Sequence, residues 1–207
     1  MAIGTATRIG SERRNGAESG QDDGLLAELR RIVGPANALA DRAVRAAYAG
    51  DGSLEEGEPS VVVLPERVEQ VAEVLRLAAR LSVPVVPRGA GTGLSGGAVA
   101  RQGGILLTLT RLNRIKRIDP ENRLATVEPG VVNAELTRAA APYGLYYAPD
   151  PSSQQACTIG GNVAENSGGA HCLAYGVTTN HVLELEALVG PEARPVRLGG
   201  SPDRPGL

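Results

Sequence analysis

The spacing of apolar positions changes character along the chain, and each change predicts an element. Leu25, Leu26, Leu29, Ile32 and Val33 recur at helical spacing and stop at Gly34-Pro35, which predicts a short amphipathic helix. The polar stretch from Asp51 to Pro59 reads as a boundary. Beyond it an apolar run, Ser60 to Leu64, and a second one, Val83 to Val86, flank a long periodic segment. That segment places Val68, Val71, Ala72, Leu75, Ala78 and Ala79 on one face, and Glu66, Glu69, Glu73, Arg76 and Arg80 on the other, where they read as a solvated surface. Strand, amphipathic helix and strand in that order make a βαβ unit.

Downstream, Ile105 to Leu109, Arg114 to Ile118 and Leu124 to Val127 predict three short strands of an antiparallel or mixed piece, with Asp119-Pro120-Glu121-Asn122 as the clearest turn. Asn133 to Tyr143 predicts a helix ended by Gly144. A long irregular segment, Ala148 to Asn180, is dense in Gly, Ser, Asn and Thr and precedes an apolar strand, Val182 to Val189. Loops longer than about 12–15 residues inside a compact domain are usually functional or disordered. The resulting organisation is a disordered tail over residues 1–23, a helical lead-in over 24–58, a main domain over 59–190 and a weak strand and tail over 191–207. The main domain divides into subdomains of about 59–118 and 119–190.

Composition narrows the function. A formal net charge of -2 leaves no electrostatic footprint for nucleic acid or an anionic membrane. With Phe 0 and Trp 0 the core must be aliphatic, and stacking platforms for bases are nearly absent. No apolar run approaches the roughly 18–20 residues of a membrane span, and Met1 to Asp23 lacks the apolar stretch of a signal peptide. Cys157 and Cys172 read as free thiols of a reducing compartment, so a cytoplasmic protein is expected.

Two glycine clusters carry the candidate chemistry. The first, Pro87-Arg88-Gly89-Ala90-Gly91-Thr92-Gly93-Leu94-Ser95-Gly96-Gly97, follows the second strand, and Gly91 to Gly96 fits G-x-G-x-x-G. A nicotinamide-binding fingerprint would open a crossover helix, and Ala98 to Gly104 is too short to form one. What remains is a loop whose backbone N–H groups can turn onto an anion, with a pyrophosphate as the natural occupant. The second cluster runs from Thr158-Ile159-Gly160-Gly161-Asn162 to Asn166-Ser167-Gly168-Gly169, with Tyr175-Gly176 after it. Its small residues let a flat ligand lie on backbone, while Asn162, Asn166 and Ser167 can serve ring edges. A dinucleotide with a large planar head needs both kinds of site.

With these two motifs in this order, the chain resembles the flavin-binding domain of FAD-linked oxidases of the vanillyl-alcohol oxidase and p-cresol methylhydroxylase type. Within that family it is most similar to the FAD subunit of glycolate oxidase and to the D-lactate and D-2-hydroxyglutarate dehydrogenases. The resemblance covers roughly residues 24 to 190 and also rests on Tyr48, Asp51, Ser53, Pro59, Val61 to Pro65, Thr126 to Gly130, Pro149 to Ser152, and Val182 to Val189. It implies an α+β FAD-binding fold of two small mixed α/β subdomains with the flavin between them. It places the FAD pyrophosphate in the loop Gly89, Ala90, Gly91, Thr92, Gly93, Ser95, Gly96 and Gly97, and the flavin with its ribityl chain against Pro151, Ser152, Thr158, Gly161, Asn162, Ser167 and Gly168. Gly176 and Val182 then lie toward the adenosine. The implied activity is oxidation of a 2-hydroxy acid of the glycolate or D-lactate type by hydride transfer to flavin N5. FAD is expected to be non-covalent, because Thr92 stands where tethering relatives carry a histidine. A substrate domain normally follows in the family, so the chain is expected to be C-terminally incomplete. It would then be half of a two-chain enzyme, a truncated product, or a catalytically silent FAD-binding subunit. An aldonolactone or cell-wall-precursor substrate within the same superfamily stays open.

Arg88 reads equally as a phosphate partner or a solvent-facing charge. Asp119 reads as a turn former before Pro120 rather than a ribose ligand. The spacing of His171, His181, Cys157 and Cys172 fits none of the usual zinc patterns, so no metal is expected. No general base is assigned.

Overall fold

The computed structural model describes residues 18–199, with side chains from residue 24 onward. The first helix, α1 (Glu18–Val33), therefore begins inside the segment expected to be a tail, and the remainder of that segment lies outside the described residues. A two-residue strand β1 (Ala38–Leu39), helix α2 (Arg42–Ala47), strand β2 (Val61–Val63), helix α3 (Val68–Leu81), and strands β3 (Val85–Arg88) and β4 (Ile105–Thr108) follow. They build a sheet of order β1-β2-β4-β3, in which β2 and β3 are each parallel to β4 and β1 is antiparallel to β2. The predicted β2–α3–β3 connection exists, but its two strands are not neighbours. Strand β4, expected with the downstream strands, inserts between them because all four of its residues are apolar enough, or small enough, to be buried on both sides.

Alternation across this sheet explains the apolar runs. Val61, Val63, Ile105 and Leu107 face α1 and α3, packing with Leu29, Val33, Val74 and Leu77. Val62, Leu64 and Leu106 face the other way, onto Ala100, Tyr48 and Val86. A parallel strand covered on both faces reads as continuous Val and Leu rather than alternation.

Helix α3 is rotated from its expected face. Val74 and Leu77 are 0% and 2% exposed, whereas Val68 is 44% exposed and Ala79 is also at the surface. Gln70 sets this rotation. Its Oε1 accepts from the backbone N–H groups of Glu66 at 2.8 Å and Arg67 at 3.3 Å, and its Nε2 donates to the Ile32 carbonyl at 3.1 Å, which fastens the helix start to the end of α1.

The second half holds two separate antiparallel hairpins. Strands β5 (Ile115–Asp119) and β6 (Leu124–Val127) form one, and β7 (Glu184–Val189) and β8 (Arg194–Gly199) the other. Asp119 does close the first turn: its carboxylate accepts from Asn122 N at 3.1 Å and Asn122 Nδ2 at 3.1 Å. Strand β8 is the expected weak strand, now paired along its whole length with β7. Helix α4 (Asn133–Ala140) tightens into a 3-10 turn at Ala141–Tyr143, where Pro142 cannot supply a helical N–H, and Gly144 ends it at φ 70°. The segment expected to be irregular contains two short helices, α5 (Ile159–Glu165) and α6 (Cys172–Tyr175).

Candidate cofactor-binding site

The first glycine loop leaves the C-terminal end of β3 and reaches β4 with no helix between them, as its length requires. Among the described residues, no backbone N–H from Gly89 through Gly97 donates a hydrogen bond. The loop is instead fixed from below by the Tyr48–Ser53 segment. Arg88 Nη1 donates to the carbonyls of Gly50 at 2.8 Å and Ala98 at 3.2 Å, and its guanidinium lies 5.6 Å from the centre of the Tyr48 ring. A Cβ at Gly52 would stand 2.8 Å from the Gly93 carbonyl oxygen, so the two backbones are in direct contact. Asp51 Oδ1 accepts from Ser53 N at 2.8 Å and Ser53 Oγ at 2.6 Å. Burial alone would raise the Asp51 pKa, but these bonds, the Ala98 N–H and the Arg88 charge hold it below the ordinary carboxylate value.

Three glycines of the loop, Gly89, Gly91 and Gly96, are required by geometry, Gly96 by its φ of 71°. Gly91 has φ 73°, and a Cβ there would run into the Arg88 guanidinium. Gly89 passes so close to Thr158 that a Cβ would collide with its Oγ1.

That last contact joins the two clusters. Thr158 caps α5, its Oγ1 accepting from Gly161 N at 3.3 Å, and it bridges to Val132. Ile159 N and Gly160 N donate to the carbonyls of Val131 and Pro129, each at 2.8 Å, so the second cluster is laced to the Glu128–Asn133 turn. Glu128, which is buried, fixes that turn by accepting from Arg114 N at 2.9 Å, Nε at 3.0 Å and Nη2 at 2.6 Å. At the far end of α5, Ser95 Oγ donates to Glu165 Oε2 at 2.5 Å and closes the gap between the clusters a second time.

A third junction lies beyond α5. Asp150 accepts from His171 Nδ1 at 2.5 Å, and a Cβ at Gly169 would collide with Asp150 itself. The hydrogen bond to His171, outweighing partial burial, keeps the Asp150 carboxyl below its ordinary value. Tyr146, Tyr147, Tyr175 and His181 gather beside it, with ring centres 6.2 Å apart for Tyr146–Tyr175 and 6.3 Å for Tyr147–His181. Burial pushes the Tyr147 hydroxyl up.

Several candidate residues take positions that sequence could not foresee. Arg88 is not solvent-facing: it is 8% exposed, its Nη1 holds the loop, and its Nη2 lies beneath Gly91. Asn162 is 1% exposed and faces the interior, accepting from Asn133 Nδ2 at 3.1 Å and donating to Cys157 Sγ at 3.3 Å. Its side chain therefore does not serve a ring edge. Asn166 turns its Oδ1 to Thr179, while the Ser167 carbonyl accepts from Thr178 Oγ1 at 2.8 Å. Gly168 packs against Val177, and Gly176 at φ 82° leaves room only for Asn180. Pro151 and Val182 are half-buried, and Ser152 is exposed. Both cysteines are free thiols, and His181 Nε2 is 2.8 Å from the Tyr175 carbonyl. Glu128 and Glu165 were not singled out from the sequence. The signal for Glu165 was available: Thr158 as a cap and Asn166 as a left-handed stop bracket a helix that ends on it.

Comparison with known proteins decides the family. Residues 59–199 match the FAD binding domain family. The chain belongs to it. The glycolate oxidase subunit GlcD of Escherichia coli is 55% identical over 140 residues, covering 67% of this chain and 28% of that protein. The D-lactate dehydrogenase of Archaeoglobus fulgidus is 41% identical over 143 residues, covering 69% of this chain and 32% of its own length. Among solved structures, p-cresol methylhydroxylase with substrate bound superposes with a TM-score of 0.73 at 23% identity, over 93% of this chain and 38% of that one, a likeness of fold. The chain thus spans about a third of the length of these relatives. It is an FAD-binding domain of the kind found in glycolate oxidase and D-lactate dehydrogenase, and FAD is the cofactor this family takes. The residues fit that group: a run of free N–H groups and glycines where a Cβ would intrude. Among the described residues no helix is long and apolar enough to cross a membrane.

Proposed function

We propose that this chain is the FAD-holding part of an oxidoreductase that oxidises a small 2-hydroxy acid of the glycolate or D-lactate type. The observation that carries the reading is the junction of the two glycine clusters at Gly89 and Thr158, with the free N–H groups of Gly89–Gly97 beside it. The names of the relatives support the substrate class. Bound FAD supplies the redox chemistry.

In this reading the protein's residues position and shield. The N–H groups of Gly89–Gly97 hold the diphosphate, since aligned amide dipoles favour an anion and glycine lets it approach. Arg88 and Asp51 brace the loop from beneath. Thr158 and Gly161 carry the ribityl side, and Pro151, Ser152, Ser167 and Gly168 border the ring, with the Asp150–His171 pair tying those two borders together. Gly176 and Val182 lie toward the adenosine. Retention is non-covalent: Thr92 has a hydroxyl that is a poor nucleophile toward the ring, and both histidines are engaged elsewhere. A cytoplasmic setting fits the two free thiols.

The name of the similar GlcD, a subunit of glycolate oxidase, supports a partner chain, and a second chain is proposed to supply the substrate pocket and the proton-accepting group. The test is a spectrum and an assay. The purified chain, incubated with FAD and then freed of unbound flavin by gel filtration, is expected to show flavin absorbance that goes to the supernatant on acid precipitation. It should show little oxidation of glycolate or D-lactate alone, and turnover when a chain carrying the remaining part of a glycolate oxidase subunit is supplied. Absence of flavin bands from the gel-filtered chain would overturn the cofactor site, and robust turnover by the chain alone would overturn the partner requirement.

A further inference from the structure

Separate pieces of the candidate site converge on Asn133, the first residue of α4, which is 1% exposed. Its Nδ2 donates to the Pro149 carbonyl at 3.0 Å and to Asn162 Oδ1 at 3.1 Å. Its backbone N–H donates to the Cys157 carbonyl at 3.0 Å, and the N–H of Ala134 donates to the Gln154 carbonyl, also at 3.0 Å. The start of α4 therefore grips the Pro149–Cys157 segment at both ends, and grips α5 through Asn162. The segment needs that grip. It contains no helix or strand, and Pro149 and Pro151 have no N–H with which to pair. The amide does this at a cost, because its Oδ1 is buried without a hydrogen-bond partner among the described residues. Turning the amide over would set its oxygen against the oxygens of Pro149 and Asn162, so the donors are what the position requires.

We propose that Asn133 is a positioning residue for the flavin ring, which fixes the spacing between the Pro149–Ser152 border and α5. This rests on the reading that Pro151, Ser152, Ser167 and Gly168 border the ring and that Thr158 and Gly161 carry the ribityl side. Asn133 is buried beneath these residues and acts only through the backbone and the Asn162 amide that it holds. The diphosphate side is set by other contacts, with Arg88 on the Gly50 and Ala98 carbonyls and Gly52 against the Gly93 carbonyl. Loss of the Asn133 side chain should therefore loosen the ring side and leave the diphosphate side as it is.

The experiment titrates the parent chain, freed of flavin, and the variants Asn133→Ala and Asn133→Leu with ADP and with FAD by calorimetry. ADP carries the adenosine and the diphosphate without the ring, so the ratio of the two affinities reports the ring side alone. The parent is expected to bind FAD more tightly than ADP. Both variants should keep the parent's ADP affinity within about twofold and lose about tenfold or more in FAD affinity, as two missing hydrogen bonds imply. Leucine has the branched shape of asparagine and fills the space that alanine empties, so a loss shared by both variants belongs to the missing donors rather than to a cavity. A merely structural role would lower the folded fraction, move both ligands together and leave the ratio alone. A parent that binds FAD no more tightly than ADP would bring down the ring-side reading, and this inference with it. If the parent discriminates and the variants keep its ratio, whether both affinities hold or both fall away, the inference alone is overturned. Recovery of the parent's ratio by leucine also overturns it, because packing would then suffice.

Discussion

Strands β2 and β4 are buried at every residue, whereas no residue of β7 or β8 is. The first region is a mostly parallel sheet with α1 and α3 on one face and Ala100, Leu39 and Tyr48 on the other, filled by aliphatic side chains apart from the Tyr48 ring. The second is two separate hairpins and a long loop held largely by polar contacts: Glu128 on Arg114, Asn133 on Asn162, Asp150 on His171. The contrast teaches that one half is held by apolar packing and the other by polar side-chain contacts. The sheet supplies a rigid end from which the first loop springs, and the polar half supplies adaptable surface. Leu183 at 61% and Leu198 at 47% exposure show how little apolar area the second half buries on its own.

The largest effect should come from the dry side. Leu106 is fully buried at the centre of the parallel sheet, and truncation to alanine is expected to cost about 2–5 kcal/mol, enough to unfold a marginal domain. Chemical denaturation measures it. A loss below about 1 kcal/mol would mean that the sheet is not the stable half.

Next are the glycines, where the two roles separate within one loop. Gly91 has a left-handed backbone against the Arg88 guanidinium, so Gly91→Val should lower stability by about 1–3 kcal/mol as well as abolish FAD binding. At Gly93 a Cβ would meet nothing nearer than Glu165 at 3.9 Å. Gly93→Val should therefore leave the unfolding midpoint nearly unchanged yet weaken FAD at least about tenfold, because the added carbons fill the space of the ligand. Equal flavin retention by both variants would remove the loop from the site.

The polar half should betray itself in acid. Glu128 is held below its ordinary pKa first by the hydrogen bonds of the Arg114 side chain. A depressed carboxyl stabilises the fold above the unfolded-state value and loses that contribution as pH falls through the folded-state one. Stability should thus be flat near neutrality and fall below the ordinary value of 4.5. Glu128→Gln should cost about 2 kcal/mol at neutral pH and flatten the acid decline, both read from denaturation midpoints at a series of pH values. An unchanged acid slope would assign the decline to Asp51, Asp119 or Asp150, which are held low as well.

The dry half was legible because burial on both faces leaves a plain mark, the runs around Val61–Val63, Val85–Val86 and Ile105–Leu107. The order of those strands was not, since nothing local says that β4 slides between β2 and β3. Both glycine clusters were visible as clusters, and their meeting at Gly89 and Thr158 was not, because it depends on the lacing of Pro129–Asn133 to Cys157–Gly160. Side-chain direction was the hardest to read. Asn162 has the chemistry of a ligand contact but spends it inside the fold, and Arg88 spends its Nη1 there, because a buried guanidinium or amide needs carbonyl, amide or thiol partners.

The smallest expected effect is at Leu198. It stands opposite Leu185 in the β7–β8 register, and that cross-strand pair is the main apolar contact its position offers. Such pairs contribute about 0.2–1 kcal/mol, and a side chain 47% exposed has little further burial to lose. Leu198→Ser should therefore lower stability by less than about 1 kcal/mol and make the chain more soluble. The same variant measured in the presence of the proposed partner chain sharpens the point: if that partner covers the hairpin, Leu198→Ser should weaken association while leaving the isolated chain alone. A cost above about 2 kcal/mol in the isolated chain would place Leu198 in the cooperative core and erase the distinction between the two halves.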